Sequence, residues 1–156
     1  MSFRILGLPI EPFRDLLEAD RETLRERGVV VQIVDEPHSA PCRITLEDAE
    51  VGEEVLLLSY RHLDAGSPYA AAGPIFVRRK AREPFVGAVD VVPDQQRRRL
   101  LSVRAYDADD MLVESDVTAG TELESLIERF FENPATAYLH VHNARPGCYA
   151  CRVERA

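Results

Sequence analysis

Cysteine, lysine and tryptophan are scarce in this chain of 156 residues, which has three cysteines, one lysine and no tryptophan. The cysteines, Cys42, Cys148 and Cys151, are too few for a disulfide-rich protein, and their odd number predicts free thiols in the cytoplasm. The longest apolar run, Val55 to Leu58, falls far short of the roughly 20 residues of a membrane-spanning helix. The first residues also lack the apolar core of a signal peptide. These absences exclude helical membrane proteins and favour a cytoplasmic location.

Positive charge is in deficit too, since 27 acidic residues outnumber 19 basic ones and give a formal net charge of -8. Nucleic acids and anionic membrane surfaces select basic proteins, so the composition predicts neither partner and leaves small-molecule binding open. The chain has no phosphate-binding glycine loop, no dinucleotide fingerprint and no Gly-x-Ser-x-Gly motif. The remaining composition, 46% hydrophobic, predicts a single globular domain over residues 1–156, with the oligomeric state open.

The order of apolar patterns predicts an α+β fold with a largely antiparallel sheet and two main helices. One helix is predicted after Pro12. The other covers Leu123 to Phe131, where apolar residues recur with helical spacing behind a capping box at Thr121 to Glu124. Segment 61–73 contains proline, glycine and three successive alanines, and is predicted to be a loop. Predicted strands cover residues 3–8, 29–34, 42–44, 54–60, 74–79, 85–92, 101–106, 111–117, 137–142 and 148–154.

The last two of these strands form a predicted C-terminal hairpin around a loop of five residues. Side chains alternate between the two faces of a strand, so the register decides which of them share a face. The symmetrical register gives the pairs His142–Cys148, His140–Ala150 and Tyr138–Arg152. It predicts a polar face, on which the small Ala150 leaves room for a ligand. It also predicts an apolar core face that carries Leu139, Val141, Tyr149, Cys151 and Val153.

One hypothesis for the polar face is an enzyme that performs thiol chemistry on a small molecule. Cys148 would be the nucleophile, His142 its base and His140 a second acid or base, because an adjacent imidazole activates a thiol. The hypothesis assigns an orienting hydrogen bond to Asn143, and binding of an anionic substrate to Arg152 with Tyr138 beside it.

A second hypothesis is a divalent metal bound by His140, His142 and Cys148. Histidines two positions apart on a strand lie about 7 Å apart, a spacing that one ion can bridge. A third is a solvated edge hairpin, or an interaction module that pairs with a partner's strand. The sequence leaves these alternatives open. It does not favour a zinc knuckle or a redox motif at Cys148 and Cys151, since thiols at that spacing in a strand point to opposite faces.

Two weaker signals lie elsewhere in the chain. His38 and Cys42 flank Pro41 in a predicted loop, and such a loop can join a site in space. The run Arg97 to Arg99 is interpreted as a solvated charged segment, with contact to an anion as the alternative.

Short motifs are spread along the whole chain. They include Ser67-Pro68-Tyr69, Gly73-Pro74-Ile75-Phe76-Val77, Gly120-Thr121-Glu122-Leu123, and His140-Val141-His142-Asn143-Ala144 with Gly147-Cys148-Tyr149-Ala150. This set resembles one bacterial domain family of unknown function. The resemblance implies a small, stand-alone soluble protein, and it supplies no activity.

Overall fold

The computed structural model describes all 156 residues and has eight strands and four short α-helices. The strands are β1 Phe3–Leu6, β2 Val30–Ile33, β3 Glu54–Leu63, β4 Ala71–Arg78, β5 Leu100–Tyr106, β6 Leu112–Ala119, β7 Tyr138–Asn143 and β8 Tyr149–Arg155. The helices are α1 Arg14–Glu18, α2 Arg21–Glu26, α3 Asp94–Arg97 and α4 Leu123–Phe131, with single 3-10 turns at Glu11–Phe13 and Gly120–Glu122. The predicted α+β class is confirmed. None of the helices has the length and apolar character that crossing a bilayer requires.

The strands form two antiparallel sheets instead of one. The larger sheet has the order β1-β8-β7-β5-β6, and the smaller has the order β2-β3-β4. Both strands of the C-terminal hairpin, β7 and β8, therefore have a neighbour on each side. The alternative of an edge hairpin that pairs with a partner's strand is therefore wrong, because neither strand has a free edge.

Helix α4 covers one face of the larger sheet. Its five apolar residues are all buried, as the helical spacing predicts: Leu123, Leu126, Ile127, Phe130 and Phe131. They share one core with Leu101, Val103 and Ala105 of β5 and with Leu139 and Val141 of β7. The predicted capping box does not form, because the helix is entered through the 3-10 turn and no side chain caps its first turn.

The opposite face of the larger sheet packs against the smaller sheet. Tyr149 of β8 belongs to a second core with Leu56 and Leu58 of β3 and Ile75 of β4. Strand β7 is consequently buried along its whole length, on both faces. The polar residues of the hairpin thus lie between two sheets, and the interpretation of this face as solvated is wrong.

Four strand predictions differ from the structure. The predicted strand at 42–44 does not form, because this segment makes only an isolated bridge from Cys42 to Phe76. The segment predicted as a buried strand at 29–34 gives the edge strand β2, on which Val30 and Ile33 are 50% and 56% exposed. Segment 85–92 forms only an isolated bridge, between Val86 and Leu6. Strand β3 continues to Leu63 and strand β4 begins at Ala71, so both extend into the predicted loop at 61–73. This last difference places His62 on a strand.

Candidate functional site

The hairpin register differs from the symmetrical one. His140 lies opposite Arg152, and His142 lies opposite Tyr149, with an irregularity between Val141 and His142. The predicted pairs His142–Cys148, His140–Ala150 and Tyr138–Arg152 are therefore wrong. The turn is shorter than the predicted one, because the Asn143 N–H donates to the Cys148 carbonyl. Next to this turn, β8 has a one-residue bulge, which changes the register of the residues that follow.

The bulge exchanges two residues between the faces of β8. Tyr149, predicted on the core face, lies against the histidines. Ala150 is fully buried in the core beneath α4, so it is not the predicted space for a ligand. Cys151 is buried in that same core, as predicted, and burial raises the pKa of its thiol to about 12. Cys151 is consequently a packing residue.

Three histidines meet between the two sheets and form what we call the histidine cluster: His62 of β3, with His140 and His142 of β7. One ring nitrogen from each lies within 4.8 Å of the others. Tyr149 packs among them, since its ring stacks on His62 at 5.1 Å between centroids and meets His140 edge-on at 5.0 Å. His140 and His142 share one face of β7, as the alternation predicts, and the third member comes from the other sheet.

The ring nitrogens of the cluster differ in their partners. In His142, Nδ1 lies 3.0 Å from the Gly147 carbonyl, which can only accept, so Nδ1 carries the proton. Its Nε2 lies 3.4 Å from a guanidinium nitrogen of Arg104. The Nδ1 atoms of His62 and His140 are buried and have no hydrogen-bond partner. The cluster thus contains two unsatisfied polar atoms in a buried place, which is a costly arrangement.

Burial keeps the three imidazoles neutral. It lowers the pKa of His140 to about 3, with the positive charge of Arg152 acting in the same direction. It lowers the pKa of His142 to about 4, against the opposing effect of the bond to Gly147 and together with the charge of Arg104. Burial and Arg104 also lower the pKa of His62. Neutral imidazole has a free lone pair at neutral pH, which a base or a metal ligand needs.

Cys148 lies just before β8, half-buried, where the turn meets the rest of the protein. A guanidinium nitrogen of Arg43 lies 3.8 Å from its sulfur, and the Asn143 side-chain amide lies 3.6 Å from it. Its neighbour His142 directs its two ring nitrogens to Gly147 and Arg104 instead. The structure thus places the Asn143 amide next to the sulfur and gives Cys148 an arginine neighbour in place of the predicted histidine.

Cys148 lines two adjacent cavities. The smaller, of about 270 Å³, is also lined by His62, Arg104, His142 and Tyr149. The larger, of about 760 Å³, is the one that we call the arginine cavity. Its basic lining residues are Arg43, Arg98, Arg99, Arg145 and His38. The thiol therefore lies where a ligand in either cavity can reach it.

The arginine cavity has a surplus of positive charge. Asp48 is the only carboxylate paired with its arginines, at 2.9 Å from Arg99 and 3.6 Å from Arg98. Arg43 and Arg145 have no carboxylate partner. Arg43 is 1% exposed; one of its terminal nitrogens donates to Gln95 at 3.0 Å, while its Nε is buried without a partner. Burial lowers the pKa of Arg43, yet a guanidinium keeps its charge in proteins, so an unpaired cation borders this cavity.

Arg152 and Tyr138, predicted to bind substrate, lie apart from both cavities. The Arg152 guanidinium stacks on the Tyr138 ring at 3.9 Å and bonds to Glu154 at 2.7 Å. The Tyr138 hydroxyl donates to Asp110. The Arg152 Nε and the Tyr138 hydroxyl are thus bound to neighbouring side chains, and neither residue lines one of the two cavities.

Several residues of the site were not found from the sequence. His62 was hidden because segment 61–73 was predicted to be a loop, although Leu58, Tyr60 and His62 continue one alternating series. Arg43 and Arg104 are single arginines within predicted strands, and no sequence motif around them indicates a binding site. The sequence points to His38 and to the run Arg97 to Arg99, but only the tertiary structure brings His38, Arg98 and Arg99 to the same cavity. Arg97 pairs with Glu124 instead.

Comparison with known proteins identifies a family. The model of the family described as "Protein of unknown function (DUF1203)" matches residues 39–155. That range includes the whole histidine cluster, Cys148 and the four arginines of the arginine cavity. No curated protein and no solved structure matches the chain.

Proposed function

The chain belongs to this family of unknown function, and from the site itself we propose that it binds a small anionic molecule, a phosphate or a carboxylate, in the arginine cavity. The observation that carries the proposal is the grouping of four guanidinium groups around one cavity with a single carboxylate to offset them. Arginine presents paired N–H donors in a plane, the geometry that carboxylates and phosphates accept.

The charge balance of the whole chain strengthens this proposal. A protein of net charge -8 repels anions over most of its surface, so a local cluster of cations needs a cause. A buried, unpaired cation such as Arg43 costs free energy unless an anion compensates it. A bound anion would offset that cost.

Calorimetric titration with inorganic phosphate, and separately with succinate, tests the proposal and distinguishes the two ligand chemistries. Arg145 is exposed and has no ion pair, so Arg145→Gln should leave the fold intact and weaken binding about tenfold. Arg14→Gln is the matched control, because Arg14 is also exposed and lies outside the cavity. Equal weakening by both variants, or no saturable binding of either anion at low ionic strength, would contradict the proposal.

Thiol chemistry on the bound anion is a second candidate, favoured by the position of Cys148 in the cavity wall. Two N–H donors, one of them cationic, point at its sulfur and hold it at the cavity wall. Cys148 would be the nucleophile and Asn143 its orienting partner, in a reduced cytoplasmic environment. Iodoacetate tests this candidate, because it is an anion from which a thiol displaces iodide and releases its proton to solvent. Relative to a free thiol, native Cys148 should react faster with iodoacetate than with neutral iodoacetamide, and Cys148→Ser should lose the reaction with unchanged phosphate affinity. No preference for iodoacetate would contradict this candidate.

A further inference from the structure

We propose that the histidine cluster is a binding site for a divalent transition metal of the Zn²⁺ type, held by His62, His140 and His142. This inference is independent of anion binding in the arginine cavity. It concerns the smaller cavity and a set of ligands drawn from both sheets.

The geometry of the cluster is close to that of a metal site. Zn²⁺ binds histidine nitrogen at about 2.0–2.1 Å, so tetrahedral ligands lie about 3.4 Å apart. The nitrogens of the cluster lie within 4.8 Å of one another. His62 is half-buried near the end of β3, where a small side-chain rotation can close the remaining distance.

The hydrogen bonds of the cluster suit an ion. Histidines that bind metals usually donate their other ring N–H to a carbonyl or a carboxylate, which fixes the tautomer. His142 does this through Nδ1 and the Gly147 carbonyl, so its ligand atom is Nε2. An ion bound there would replace the contact of 3.4 Å between Nε2 and Arg104. The buried Nδ1 atoms of His62 and His140 lack any partner, and an ion would satisfy such atoms.

The smaller cavity provides a fourth coordination position. It reaches His62 and His142, and its wall on the β4 side is made of the small residues Ala71, Ala72 and Gly73. Three histidines and one open position are the arrangement of zinc sites that bind water or a substrate. The nearby cation Arg104 opposes a divalent ion, and it favours an anionic fourth ligand such as hydroxide.

Titration of chelator-treated protein with Co²⁺ tests the site, because tetrahedral Co²⁺ absorbs strongly in the visible. We expect one equivalent to bind, with at least about a hundredfold weaker binding in His62→Gln. His38→Gln is the matched control, since His38 is the only histidine outside the cluster, and its variant should bind Co²⁺ unchanged.

Two further variants decide between ligand sets. Cys148→Ser should keep the affinity, because the thiol is not among the three ligands. Arg104→Gln should raise the Co²⁺ affinity several-fold, because it removes the opposing charge. This variant still tests the histidine cluster if His62→Gln fails to fold. Loss of the site in Cys148→Ser with retention in His62→Gln would assign the ion to the hairpin residues and overturn the proposal. Absence of Co²⁺ binding to the wild-type chain, or an unchanged affinity in Arg104→Gln, would overturn it as well.

Discussion

Cys148 differs from the other two cysteines in what surrounds its sulfur. It is half-buried in the wall of two cavities, with Arg43 and Asn143 as its neighbours. Cys42 is fully buried, and its sulfur accepts backbone N–H groups of Thr45 and Arg78. Cys148 can therefore react with a ligand in either cavity, whereas Cys42 has a structural role.

Alkylation of the native protein with iodoacetamide should therefore modify Cys148 alone. Cys42 and Cys151 are 0% exposed, and the raised pKa of Cys151 removes the thiolate that alkylation requires. Peptide mass spectrometry should find label on all three only after denaturation. Saturating phosphate should slow the reaction if it occupies the arginine cavity, and Cys148→Ser provides the unlabelled control. Rapid native labelling of Cys151 would show that the face assignment of β8 is wrong.

At the scale of elements, α4 and the bulge in β8 decide which face of the larger sheet is wholly apolar and which face carries the histidines. The helix covers one face with five apolar side chains, and β5 and β7 contribute apolar residues to the same core. The bulge moves Ala150 into this core and turns Tyr149 toward the histidines. The polar face can then carry site residues without weakening the packing beneath α4.

Phe130→Ala should cost about 3–5 kcal/mol of unfolding free energy, since the side chain is 0% exposed in that core and its removal leaves a cavity. Glu128→Ala on the exposed side of the same helix is the control, and should change stability by less than about 0.5 kcal/mol. Urea unfolding of both variants measures the difference. A loss below about 1 kcal/mol in Phe130→Ala would mean that α4 packs elsewhere.

At the scale of the whole molecule, two sheets enclose titratable residues that ordinary surface packing would leave in water. His140 and His142 are 2% and 1% exposed, and both are neutral in the folded state. The unfolded chain binds a proton at each of them below about pH 6.5, while the folded chain binds one only near pH 3 to 4. Acid therefore favours the unfolded chain, and stability rises with pH across this window.

We expect the free energy of unfolding to fall by about 1.4 kcal/mol per pH unit for each of these histidines as the pH decreases from 6.5 toward 4. Urea unfolding at pH 7, 6 and 5, in buffer that contains a chelator, measures this slope. His142→Gln should reduce the slope by the contribution of one histidine, about 1.4 kcal/mol per pH unit. A free energy that stays constant from pH 6.5 to 5 would show that the two sheets admit water to the cluster.

The sequence by itself determined the features that depend on local pattern. The α+β class, the buried stripe of α4, the β5–β6 hairpin and the shared face of His140 and His142 follow from periods of 3.6 and 2 residues. The burial of Cys151 followed from the same alternation. Each of these needs only neighbours along the chain.

Tertiary structure decided the rest, because a local pattern does not show which segments meet. The division into two sheets buried the face of β7 that carries His140 and His142, and it brought His62 to them. The bulge in β8 shifted the register by an amount that alternation alone cannot reveal, since each register is equally periodic. The arginine cavity likewise draws cations from residues 43 to 145, and their joint charge exists only where the folded chain places them together.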